Sequence, residues 1–142
     1  MAFLKLPMYG GLKIEDWFRQ VWQMLNRRVG GTYTPTLSNV SNITASTIYE
    51  CTWFRIDDVV CVSGRVDITP TAVTGVILGI SLPITSNFTS VYHCNGSGSA
   101  INISGQHCAV EADTTNKQAL LKYMTLSTAN RPMVFNFTYK VV

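Results

Sequence analysis

Residues 133–141 alternate without a break: Met133, Phe135, Phe137, Tyr139 and Val141 are interleaved with Val134, Asn136, Thr138 and Lys140. Successive side chains of a strand point to opposite faces, so this pattern requires a half-buried β-strand and excludes a helix. The same period of two runs back to Thr32. Residues 48–57 and 58–68 read as a hairpin turning at Asp57-Asp58. With a two-residue turn, Phe54 faces Cys61 and Cys51 faces Gly64, so that Cys51 and Cys61 project from opposite faces and cannot bridge. The apolar run VILGISLPI (76–84) reads as a buried strand ending at a bend beside Pro83. Residues 100–103, 106–112 and 118–125 read as further short strands, with TTN (114–116) joining the last two. The stretch NGSGS (95–99) reads as a turn or exposed loop. Short strands at roughly ten-residue spacing predict an all-β fold, an antiparallel, jelly-roll-like β-sandwich of seven or eight strands over 30–142.

One segment breaks this rhythm. Residues 1–12 hold Pro7 and the pair Gly10-Gly11 and read as an extended arm. Over 13–29 the apolar residues recur at helical spacing: Ile14, Trp17, Val21 and Met24 form a seam that Phe18, Trp22 and Leu25 broaden. Glu15 and Asp16 sit in the first turn, Arg27 and Arg28 in the last, and Gly30-Gly31 stops the helix and reads as a hinge. Two Trp and a Phe on so short a helix are more apolar surface than water tolerates. These seven residues are the candidate anchoring or oligomerisation site. The seam is two heptads long, too short for a coiled coil unless something else holds the chains together.

Charge narrows the function. Charged residues are 13% of the chain, about half the usual share of about 25%. Residues 1–31 carry five basic and two acidic residues, while the remainder carries six of each. The body is neutral and has no basic stripe, so no nucleic-acid partner is expected. No run approaches the roughly 18 apolar residues of a membrane span, and Pro7, Gly10 and Gly11 interrupt what a secretory leader would keep apolar. The N-x-S/T sequons at Asn39, Asn42, Asn87, Asn95, Asn102 and Asn136 then read as a by-product of Asn- and Thr-rich strands.

Catalytic chemistry has few candidates. The doublets His93-Cys94 and His107-Cys108 suggest a dyad or a metal, but neighbours on a strand face opposite ways and there is no C-x-x-C knuckle. Asp57-Asp58 reads as a solvated turn. No phosphate-loop, dinucleotide, GxSxG or HExxH signature occurs. The expectation is a non-enzyme without metal or cofactor, whose cysteines are free thiols. A surface rich in hydroxyl and amide groups suits contact with identical copies or with saccharides, and Phe88 and Tyr92 are aromatic candidates for the latter.

GTYTPTL (31–37), the hairpin segment ending SGRVD (63–67), LGISLPITSNF (78–88) and NRPMVFNFTYKV (130–141) together resemble a small β domain of tailed-bacteriophage virion surface proteins of the tail-fibre or appendage type. The resemblance covers 31–142. It implies a virion structural role and trimers, and brings no catalytic residues. The expectation is a bacteriophage virion protein made in the host cytoplasm: a short trimeric tail fibre, spike or appendage. Its arm and helix bind other virion proteins, and its body is turned toward a host-surface saccharide. A head decoration (cement) protein and a tail adaptor subunit are the alternatives.

Overall fold

In the computed structural model, which describes residues 14–26 and 28–142, the chain is mostly antiparallel β-structure with one helix. The expected arm over 1–12, with Lys13 and Arg27, lies outside the described residues. The elements are α1 (Ile14–Asn26), β1 (Arg28–Tyr33), β2 (Leu37–Ser41), β3 (Ile43–Ile48), β4 (Cys51–Ile56), β5 (Val59–Pro70), β6 (Gly75–Ile80), β7 (Cys94–Ala100), β8 (His107–Asp113), β9 (Gln118–Met124) and β10 (Arg131–Lys140), with a 3-10 turn at Val91–His93. The described residues thus hold ten strands, not seven or eight. All are paired in one sheet ordered β1-β4-β5-β10-β7-β8-β9-β6-β2, with β3 on β5.

The expected terminal strand is the middle of that sheet. β10 pairs along its length with β5 on one side and β7 on the other. Its inward residues Met133, Phe135, Phe137 and Tyr139 are buried, and the three rings lie in sequence, with centroids 6.0 Å apart for Phe135–Phe137 and 6.2 Å for Phe137–Tyr139. Two of these rings stand opposite glycine, while Val62 faces Phe137 on its other side and Val60 and Cys94 flank Tyr139. Phe135 pairs with Gly64 and Gly98, and Phe137 with Gly96. A Cβ on Gly96 would stand 2.2 Å from the Asn136 carbonyl oxygen, and one on Gly98 2.3 Å from that of Val134. This is why NGSGS, expected as a loop, is strand β7: its glycines are there for closeness to β10, not for a turn.

The hairpin forms in the expected register, with Phe54 opposite Cys61 and Asp57 in the left-handed region at φ 51°. The expected strand over 100–103 does not form. Beyond Ala100 the chain reverses through bends to β8, using Gly105 at φ 83°. Gly30-Gly31 is not a hinge either. Both residues belong to β1, paired with Phe54 and Trp53, and the helix ends at Asn26, so that Arg28 opens a strand.

The sheet curls because residues 37–48 carry the chain from its last strand, β2, back onto β5. β2 pairs with β6, and β3 pairs with the second half of β5. Asn42 makes the corner between them at φ 58°, a conformation Asn tolerates better than most residues. Its side chain donates to the Ala72 carbonyl (2.8 Å) and accepts from the Ala72 N–H (2.8 Å), tying the corner to the β5–β6 loop.

Residues 81–88 close the end of the curl nearer the helix. The Tyr139 hydroxyl donates to the Ile84 carbonyl (2.6 Å), Ser86 donates to the Lys140 carbonyl (2.9 Å), and Phe88 is fully buried edge-on to Tyr139. The β8–β9 turn is tied by Asp113, whose carboxylate accepts from the Thr115 and Asn116 N–H groups and from the Asn116 and Gln118 side chains. Desolvation pushes this carboxyl up, but those hydrogen bonds outweigh it and hold it down at about 2. The inward faces of all the central strands meet in one core.

The glycine contacts make a test. Gly96→Ala must displace backbone rather than a flexible side chain, and should lower the unfolding free energy by about 1–3 kcal/mol in urea denaturation. Exposed Ser97→Ala, one residue on, should leave the midpoint unchanged. Equal midpoints for the two variants would refute the packing account.

Candidate functional site

α1 forms where acidic residues occupy the first turn, Glu15 and Asp16, and where Arg19, Gln20, Gln23, Met24 and Leu25 supply good helix formers. At roughly 100° per residue, Ile14, Trp17, Phe18, Val21, Trp22, Met24 and Leu25 fall within an arc of about 160°, and the polar residues take the rest. The seven candidate residues therefore share one face. Most of that face is exposed: among the described elements α1 packs chiefly against β1, into which it runs, and Ile14 is 74% exposed, Trp22 66% and Phe18 60%. Trp17 and Val21 are half-buried. Trp17 meets Phe18 edge-on at 5.1 Å, and its indole N–H is shut off from solvent with no acceptor among the described residues. The helix is not long and apolar enough to cross a membrane.

A second surface lies on the sheet beside the helix. Register places Thr32, Thr52, Ser63, Asn136 and Ser97 in one outward row across β1, β4, β5, β10 and β7. None of these five side chains hydrogen-bonds within the described chain. The next row toward the helix holds Phe54, Cys61, Thr138 and Asn95, and beyond it Ile56 pairs with Val59. Between Glu50 and Arg65 at one limit and Lys140 at the other, this face bears no charge among the described side chains. It includes a shallow groove of about 800 Å³, lined by Thr52, Ser63, Arg65, Ser99, His107 and Asn136 among others. Arg65 is neutralised where it stands: it binds Asp67 through Nε (3.0 Å) and Nη2 (3.2 Å) and lies over the Tyr49 ring at 4.7 Å.

Sequence reasoning missed this row. Its polar residues are legible as the outward half of each alternation, but their alignment needs the β10–β7 pairing, hidden by reading 95–99 as a loop. Of the two aromatic candidates, Phe88 is core and Tyr92 is 80% exposed.

The His-Cys doublets do not assemble a reactive pair. His107 faces out from β8 while Cys108 is buried, and His93 sits in the 3-10 turn before buried Cys94. All four cysteines are free thiols, with Cys61 half-buried and accepting from the Thr138 hydroxyl at 3.4 Å. Burial pushes the thiols of Cys51 and Cys108 up to about 11 and that of Cys94 up to about 12. Thiolate, the nucleophile and metal ligand, is thus scarce at neutral pH at those three positions. No group of three His, Cys, Asp or Glu is placed to hold a metal ion among the described residues.

Diluted to the folded monomer at pH 8, the protein should release one equivalent of colour with a thiol–disulfide reagent, from Cys61, and four once unfolded; fast reaction of more than one thiol in the folded monomer would contradict the burial. Compared with known proteins, the chain matches no family model, no curated protein and no solved structure.

Proposed function

We propose that this chain is a structural protein of a tailed-bacteriophage virion: a short trimeric tail fibre, spike or appendage joined to the particle through its N-terminal segment. One observation carries the reading. α1 presents a broad apolar face that its own body leaves in water. Each large apolar side chain is worth about 1.5–3 kcal/mol when buried, and an isolated helix of this length is marginal in water. A helix of this kind is built to be covered by another chain. The resemblance of 31–142 to virion surface domains names the setting, and the buried, protonated thiols favour a structural over a catalytic role.

In this reading the curled sheet serves as a jelly-roll-like sandwich, with β5, β10 and β7 in one wall and β9, β6 and β2 in the other. The molecule is polar end to end. The helix enters at the end marked by Ile56, Val59 and Lys140. The opposite end gathers the loops 71–74, 101–106 and 125–130, where Val73, Ile101 and Leu126 are exposed. That far end is the part turned toward the host surface, including any host saccharide.

Particles purified from a lysate in which this sequence is expressed by its own phage should contain the chain, in copies that are a multiple of three, by quantitative mass spectrometry of the virion. Recovery only in the particle-free lysate would refute the virion role, and recovery with isolated heads rather than tails would move the protein to the capsid-decoration class.

A further inference from the structure

We infer that the neutral outer face of β4, β5 and β10 is covered by a second copy of the chain, so that Phe54, Ile56 and Val59 are buried between copies in the same interface as the helix. This rests on the reading of an assembling virion protein and adds which surface of the body does the assembling.

Four observations carry it. Phe54, Ile56 and Val59 are 51%, 45% and 43% exposed, and they are contiguous: Ile56 pairs with Val59, and Phe54 is the next outward residue of β4. Three such side chains on one patch, at the foot of an apolar helix, mark an interaction surface rather than scattered exposure. The patch also adjoins the helix, because Arg28, where the chain enters the sheet after α1, pairs with Ile56. The wet helix face and the wet sheet patch therefore meet at one end of the molecule.

The third observation is charge. Interface centres are depleted of charged residues, and a face that meets its own copy gains from having none, since no like charges approach and none is desolvated. The rows of Thr52 and of Phe54 carry no charged side chain, the Ile56–Val59 row ends on the exposed Lys140 at its rim, and on β8 charge resumes with Glu111, paired to Lys122. The row of Thr52, Ser63 and Asn136 offers hydroxyl and amide groups with no partner in the described chain. These can bond across a contact whose rim is polar.

Area is the fourth. Five strands by five residues cover roughly 20 Å by 16 Å, and a helix of 13 residues adds a strip about 20 Å long. Neither alone is more than a fraction of the ~800 Å² per partner of a standard interface; together they make a footprint of roughly 500 Å². A saccharide on the groove would leave the helix and the Phe54 patch in water. A second copy covers both.

The test uses the full chain in sedimentation velocity, with circular dichroism to verify folding. Wild type should sediment as an oligomer. Phe54→Glu with Ile56→Glu should weaken association at least a hundredfold, giving monomer at micromolar concentration. Thr128→Glu, in an exposed loop at the other end, should leave the mass unchanged. Hydroxyl-radical footprinting of wild type gives a readout without substitution: Phe54 should be protected while Tyr92 is modified. An unchanged mass for the double variant, a monomeric wild type, or Phe54 modified as fast as Tyr92 would each overturn the inference. Loss of the chain from purified virions would instead sink the virion reading and leave this contact standing.

Discussion

The close approach of β10 to its neighbours is the constraint on which the rest of the structure depends. Phe135 and Phe137 on the inward face of the central strand lie against strands that yield space, with Gly64 and Gly98 paired to Phe135 and Gly96 to Phe137, while Tyr139 packs between Val60 and Cys94. The arrangement sets register as well as packing. A slip of one residue would turn the rings out of the core and turn Asn136 and Thr138 inward. With β10 held, the outward residues of five strands fall into rows, and the hydroxyl and amide row is a by-product of the aromatic core. Core and surface are two readings of one alternation.

The second constraint is closure. Residues 37–48 link the last strand of the sheet to β5, and Asn42 turns the corner between the two pairings while its amide grips the β5–β6 loop. This gives the body two distinct ends. Residues 81–88 and the helix crowd one of them, and three loops form the other. A protein of this shape can be held at one end and present the other, a geometry that supports the appendage reading. The raised thiols follow from the same closure, because Cys51, Cys94 and Cys108 all point into the curl.

Much of this is legible in the chain itself. The alternation at 133–141 identifies a strand whatever surrounds it, and the Asp57-Asp58 hairpin is local enough that turn length alone sets its register. The helix and its seven apolar residues are legible for the same reason: a period of 3.6 needs no partner to be recognised. What the sequence hides is nonlocal. Gly96 and Gly98 look like a loop until they are set opposite Phe137 and Phe135, and Gly30-Gly31 looks like a hinge until β4 is laid beside it. Ile101 and Ile103 alternate like a strand, yet the chain must reverse between β7 and β8, and the reversal takes those residues. The expected strand number is too low for the same reason, since β1, β2, β3 and β7 carry no strong apolar signal of their own. In each case the deciding fact is the identity of a neighbour far away in the sequence.

The central claim is that α1 is covered by something other than its own body. Amide hydrogen exchange of residues 14–26 in the full chain, followed across a dilution series, tests it most directly. The account predicts slow exchange in the concentrated, assembled protein and fast exchange on dilution to monomer, because a lone helix of this length cannot protect itself. Protection that persists unchanged in the monomer would mean that the helix folds against its own domain, and fast exchange at every concentration would mean that nothing covers it; either result contradicts the account.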